Sequence, residues 1–470
     1  MSTKEKTAKE KLPRELVRIA LVLVLGAIAP MLDSTMVNIA INQLGIDFQT
    51  NINTIQWIIT GFVLATGVAV PFSGWLNSKF DGKKVYFWSE LLFLLASVLS
   101  GLSWSIGSLI AFRLLQGFSS GLIITLLTTL LVESAGPDKM GRLMAIVGLP
   151  IILGPILGPV IGGLIVEYLS WRWIFFINIP FVLIALYFIQ TKLPSYEPRN
   201  KNSKLDFIGI ALLAAISGTI IYGIVQASSK ASFTNPETLL YVGIGLALLI
   251  VYVIYALYRK EKAILPLNLF RQKNFVAAMI SLFLAGIATN GPMLLLPLFF
   301  QNVRGNSVVV AALSLIPQGL GMLAARPLIG KMTDKIGARW VVLVSLVITF
   351  IGSLPFVFFV QQSPYWIIAV VLFVRGMGVG GITLPIMSDA YTGLSGEQIQ
   401  HASIATRIIQ NIGGAFGSAV LATTVAKSMF NIVPNIPHLS DAYHNGFLVA
   451  VILVIVIFIP AMFLTNKLKR

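Results

Sequence analysis

Cysteine is absent from the 470 residues. Disulfides and thiolate metal sites are thereby excluded, but no compartment is indicated, because proteins of reducing compartments also lack disulfides. Charge is scarce as well: only 11% of the residues are Asp, Glu, Lys or Arg, against about 25% in a soluble domain. With 56% of the chain hydrophobic, a soluble fold would have nowhere to hide that apolar surface. Catalytic and nucleotide signals are missing too. His401 and His438 stand apart, and no His, Cys or Asp cluster has metal-ligand spacing, so no metal is expected. No glycine-rich loop follows a strand and no Walker-type sequence is present, which argues against ATP and against any cofactor. A membrane enzyme acting on lipid would need a polar constellation of His or paired acids at one interface, and none is visible. The chain is therefore read as no enzyme.

Long apolar runs fill the sequence instead. Each approaches the roughly 20 residues that cross about 30 Å of hydrocarbon. They fall near 17–42, 54–76, 85–104, 107–133, 142–167, 173–191, 206–227 and 238–258, then near 274–301, 308–330, 340–360, 365–389, 403–427 and 446–466. Fourteen spans make an all-α integral membrane protein. The basic segment from Lys4 to Arg18 precedes an apolar stretch too long for a signal-peptide core, so that stretch is expected to be a retained first span. The longest polar stretches, including the one before Gly446, read as connectors.

The formal charge of +16 does not point to nucleic acid, because the bases occupy short patches between apolar runs. Alternate loops divide them unequally. One side holds Lys79, Lys83, Lys84, Lys139, Arg142, Lys192, Arg199, Lys201, Lys204, Arg259, Lys260, Lys262, Arg271, Lys273, Lys331, Lys335 and Arg339, together with both basic termini. The other holds Arg172, Lys230, Arg304 and Lys427. The positive-inside rule then puts both termini of this multi-pass chain in the cytoplasm, with the cell membrane as its location.

The Lys192–Lys204 linker, with Pro194 and Pro198, separates a front set of six spans from a central pair and a back six. The expected division is 1–191 for the first six-helix bundle, 192–273 for the linker with two additional spans, and 274–470 for the second bundle. The halves echo each other. GWLNSKFDGKK from Gly74 follows the second span, and GKMTDKIGAR from Gly330 follows its counterpart; Arg113 and Arg375 also correspond, each followed by glycine. Two related halves around a midplane site are a recurrent transporter plan.

The two loops resemble the signature G-x-x-x-D-[RK]-x-G-[RK]-[RK] of the major facilitator superfamily. The back copy is good, with Gly330, Asp334, Lys335, Gly337 and Arg339; the front copy keeps Gly74 but has Ser78 for the acid and Asp81 for the glycine. LDSTMVNIAIN from Leu32 is similar to the first-span signature of that superfamily's fourteen-span drug:proton antiporters, with Asn42 in place of its final proline. FRLLQG from Phe112 resembles the R-x-x-Q-G motif. GPILGPVIGG supplies Gly154, Gly158, Pro159, Gly162 and Gly163 at the spacing of the antiporter motif, and WRWIFFINIP from Trp171 and LDFIGIAL from Leu205 match later stretches. The resemblance implies a major facilitator fold of two six-helix bundles plus two central helices.

Asp33 is a carboxylate well inside the bilayer, where charge is costly and usually tied to a pathway or partner. Arg113 approaches it at a similar depth. The base favours the ionised acid and desolvation favours the neutral one, so a change in either can load and release a proton. Asp33 and Arg113 are the expected coupling pair. Asn38, Phe62, Gln116, Asn290, Gln318 and Arg375 are candidates for a substrate cavity, while Glu90, Arg326 and Asp389 have no assignable role. Glycine at four-residue spacing in the fifth span permits close helix packing, and Pro159 loosens its backbone. The function implied is a secondary exporter that exchanges inward protons for outward amphipathic or lipophilic drugs by alternating access, and so an antibiotic-resistance protein. The alternative is export of a physiological metabolite or lipid, such as a fatty acid or siderophore, with incidental drug efflux. The expected partners are protons, a lipophilic small molecule and the bilayer, with the chain working as a monomer.

Overall fold

The computed structural model describes residues 13–50, 52–135, 160–198, 206–394, 397–429 and 436–466, together with 143, 154, 157 and 158. The described residues form helices, turns and loops, with no strand among them. The front half comprises α1 (Arg14–Met36), α2 (Ile41–Asp47), α3 (Ile52–Lys79), α4 (Gly82–Gly101), α5 (Ile106–Ala135), α6 (Trp173–Phe176) and α7 (Asn178–Lys192). The central pair is α8 (Phe207–Ser229) and α9 (Pro236–Arg259). The back half comprises α10 (Lys273–Asn302), α11 (Val308–Leu313), α12 (Ile316–Ile336), α13 (Ala338–Ser353), α14 (Tyr365–Val379), α15 (Thr383–Ala390), α16 (Glu397–Ser428) and α17 (Ile436–Ala461). Thirteen helical segments among the described residues are long and apolar enough to span a membrane. The fifth expected span lies largely outside the described residues; its continuous helical part is 160–168.

The helices face outward with apolar side chains. On α9, Leu240, Ile250, Ile254 and Leu257 are all exposed, which suits lipid and not water. Hydroxyls, amides and ionisable groups turn inward, where Asp33, Glu90, Arg113 and Gln116 are buried. The central pair sits at the seam, α8 packing on α3 and on α16, and Thr423 of α16 donates to the Ala227 carbonyl of α8 at 3.3 Å.

Three boundaries differ from the hydropathy reading. The first span is not a single helix to residue 42: α1 ends at Met36, and a 3-10 turn, Val37–Ala40, leads into α2. Ser34 and Thr35 return hydroxyl bonds to the carbonyls of Met31 (2.8 Å) and Leu32 (3.0 Å), a pattern that loosens the helical ladder just there. The twelfth span breaks between α14 and α15 at Gly380 and Gly381, where a methyl on Gly381 would collide with Ser345. Finally, α17 begins at Ile436 and not near Gly446. The polar turn is helical because Tyr443 inserts beside Phe299 (ring centroids 6.1 Å apart) and accepts a 2.7 Å bond from Asn302, so its one polar atom is satisfied.

Candidate functional site

The Asp33 carboxylate lies near the C-terminal end of α1, buried completely. Arg113 of α5 forms an ion pair with its Oδ2. Gln116, one turn on, accepts from Arg113 at 2.7 Å and donates to Asp33 Oδ1 at 3.1 Å. Asn178, at the start of α7, donates to the same oxygen at 3.0 Å. Ser97 of α4 accepts from both amides, at 2.8 Å from Gln116 and 3.4 Å from Asn178. Four helices thus converge on one carboxylate. With three side chains donating to it, the arrangement is complete for an ionised, acceptor-only acid. Arg113 is held from the opposite side by its Nε–H bond to the Ile58 carbonyl (3.3 Å) and by the Phe62 ring, 4.1 Å below the guanidinium.

Asp33, Arg113, Gln116 and Phe62 of the sequence-derived set therefore meet. The other candidates lie elsewhere. Gln318 of α12 accepts a 2.7 Å bond from Arg375 of α14, whose Nε donates to Ser353 of α13 at 3.1 Å. Arg375 and Ser353 are the back-half counterparts of Arg113 and Ser97, and Gln318 stands where Phe62 does in the front half, so the partners here are neutral. Asn290 is exposed in the middle of α10, and Asn38 is exposed in the turn after α1. Glu90 is buried where α4 meets α1: a methyl on Gly26 would strike its Oε1 and reach within 2.6 Å of the Tyr86 hydroxyl. Asp389 accepts from the Thr465 N–H at 3.1 Å, and Arg326 is buried in α12.

Ser97 and Asn178 were missed by sequence reasoning. Asn178 was visible as the fixed Asn of WRWIFFINIP, although the aromatics of that stretch drew attention to the interface. Ser97 carries no local signal and is found only when α4 is placed beside α5.

The glycine-rich fifth span packs on α1. A methyl at Gly154 would reach within 3.0 Å of Met31, one at Gly158 would collide with the Thr35 side chain, and one at Gly162 would reach within 3.0 Å of the Met36 carbonyl oxygen. Gly163 faces Val309 of the back half at 3.3 Å on the same test, and Pro159 lies outside the described residues. The back half repeats the device: a methyl on Gly286 of α10 would come within 3.0 Å of the Gly414 nitrogen of α16.

The two signature loops lie on the basic side of the molecule. Gly337 ends α12 with φ of 88°, a left-handed conformation that favours glycine, and α13 starts at the next residue. Gly330 is buried on α12, Asp334 and Lys335 occupy its last turn, and the Arg339 N–H donates to the Thr465 carbonyl at 3.3 Å. In the front loop Asp81 caps α4 through the Lys83 N–H (2.9 Å) and binds the linker through Ser195 (2.5 Å) and the Tyr196 N–H (2.9 Å). Burial pushes its carboxyl up, but these bonds and the nearby Lys84 outweigh burial and hold it below the ordinary carboxylate range. Close by, the halves touch: Thr129 and Ser403 share a 3.0 Å hydroxyl bond, and Gly74 leaves room for Ile404.

Several known proteins are similar to this chain in sequence or in fold. A multidrug resistance protein B homolog of Mycobacterium tuberculosis (strain H37Rv) is 31% identical over 419 residues, covering 89% of this chain and 77% of that protein. The multidrug export protein EmrB of Escherichia coli K12 is 28% identical over 411 residues, with 87% and 80% covered. The solved proton:xylose symporter XylE shares the fold, with a TM-score of 0.63 at 16% identity over 93% of this chain and 95% of that one. Residues 23–418 match the Major Facilitator Superfamily as a family, and the chain belongs to it.

Proposed function

We propose that this protein exports amphipathic or lipophilic small molecules across the cell membrane in exchange for protons. The observation that carries the reading is the buried carboxylate of Asp33, gripped by Arg113 and Gln116 of α5 and by Asn178 of α7. Protonation would remove the charge that Arg113 pairs with and leave Gln116 and Asn178 donating to a neutral acid. The network would then lose its preference for one arrangement of α1, α4, α5 and α7, a local charge change able to bias a two-state packing. The adjacent glycine-lined contact between α1 and the fifth span would let that change become a rocking of the halves, with access alternating about a midplane site.

The names of the relatives support drug export, and the distribution of basic loops supports an orientation with both termini in the cytoplasm. The two related sets of helices within one chain support a cycle run by a single copy. The test is reconstitution in liposomes with a trapped pH dye, challenged with a panel of lipophilic cations and neutral drugs. Substrate addition should drive proton movement, and collapsing the pH gradient should stop substrate accumulation. Flux that ignores the gradient would instead mean a channel.

A further inference from the structure

We infer that the substrate site takes an amphipathic monoanion, a carboxylate or sulfonate on a lipophilic body, and that Arg407 is its counter-ion. This rests on the exporter reading above and names the substrate class of that site.

Arg407 is on α16, about 9 Å inside the apolar span that begins at His401, at 1.5 Å per residue. Protein surrounds it, and a part of its side chain stays open. Just below it, toward the basic side, the halves are sealed by Thr129 with Ser403 and by Ile404 at Gly74. Arg407 is therefore placed immediately above that seal, reaching from the back half to the Ile124 carbonyl of α5 in the front half. Its bonds are long, 3.4 Å to that carbonyl and 3.4 Å to Gln410, and its buried Nε has no partner among the described residues.

Among the described residues no carboxylate pairs with Arg407. Arg375, deeper in the same half, is likewise bound only to neutral Gln318 and Ser353. The one buried acid of the Asp33 network is already engaged by Arg113. A guanidinium inside a membrane protein with donor capacity to spare is costly unless an anion meets it for part of the cycle. Gln410 and Gly414 lie on the same face of α16 at helical spacing, and the exposed Asn290 of α10 abuts Gly414. The site thus offers a cationic end and an amide farther along α16. Cationic drugs would be repelled at the Arg407 end.

The assignment also fixes the electrical character of the exchange. An anion leaving and a proton entering both move positive charge inward, so the membrane potential drives the cycle even without a pH difference.

The test uses three fluorescent probes on the full-length protein in nanodiscs: dansylglycine, its neutral amide dansylglycinamide, and the cation ethidium. Dansylglycine should bind about tenfold or more tightly than the amide, as for one charge-assisted bond. Arg407→Gln should erase that difference, and Arg407→Lys should retain much of it. Equal binding of acid and amide by the wild-type protein, preference for ethidium, or an unchanged preference in Arg407→Gln would overturn the assignment. The last result would leave Arg407 as a mere contact between halves. If Arg407→Gln fails to fold, the wild-type preference and the Arg407→Lys variant still decide it. Binding needs no gradient, so a failure of proton coupling shows separately, as absent dye response in liposomes.

Discussion

Thr35 donates a 3.3 Å hydrogen bond to the Gly154 carbonyl, tying the glycine-rich fifth span to α1 two residues beyond Asp33. The contact depends on the absence of a side chain at Gly158, because a methyl there would collide with Thr35 and lie 3.1 Å from the Leu32 carbonyl oxygen. The segment that resembles the antiporter motif is thus in direct touch with the helix that carries the buried acid.

Gly158→Leu should therefore abolish export while the protein still inserts, since the added bulk forces the fifth span off α1. Gly218→Ala is the control, because a methyl there meets nothing within 4 Å. Substrate accumulation at matched membrane protein levels is the measurement. Normal export by Gly158→Leu would show that close packing at Thr35 is dispensable.

The Asp33–Arg113 pair should also be visible in stability. Removing one partner of a buried ion pair leaves a charge uncompensated and costs about 3–5 kcal/mol. Arg113→Ala alone should lower the melting temperature of the purified protein more than the double variant with Asp33→Asn, which removes the stranded charge. Additive losses across that cycle would mean the two groups do not depend on each other.

Asp81 gives a pH-dependent prediction at the front loop. Its folded pKa is depressed, so its stabilising contribution is complete above the unfolded carboxylate value of about 3.9 and is lost as pH falls through the lower folded value. At pH 7, Asp81→Ala should cost about 1 kcal/mol through the lost cap. The difference in melting temperature from wild type should shrink as the pH drops below about 4. A difference that persists unchanged in acid would remove the carboxylate from the explanation.

Orientation is checked on the naturally cysteine-free background. Single cysteines at the exposed positions Lys84 and Lys331 should be shielded from an impermeant maleimide in intact cells, and those at Tyr168 and Lys230 should react. The reverse pattern would invert the topology.

Much of this was legible in the sequence because a bilayer leaves few choices. Apolar runs of the right length must be helices, and the described spans follow the hydropathy. The misplaced boundaries share a cause: hydropathy does not register hydroxyls that fold back at Ser34 and Thr35, paired glycines at Gly380 and Gly381, or a tyrosine whose hydroxyl finds Asn302. Asp33 and Arg113 stood out because an ionised group in an apolar run needs a reason. Ser97 and Asn178 did not, since a small polar residue is cheap at any depth and only its neighbours give it meaning. Gln116 read as a cavity candidate because it is a polar residue within a span, and both of its amide ends are spent inside the front bundle.

The central claim is that the proton rides on Asp33, and Asp33→Asn tests it most directly. The amide preserves shape and much of the hydrogen bonding but cannot change charge with pH. Wild-type and variant proteins are reconstituted with a trapped pH dye and an identical substrate pulse is applied to both. Wild-type vesicles should show substrate-driven proton flux, and Asp33→Asn vesicles should show none, even where substrate binding survives. Wild-type flux from Asp33→Asn would contradict the account and move the proton to another buried acid, with Glu90 the first to examine.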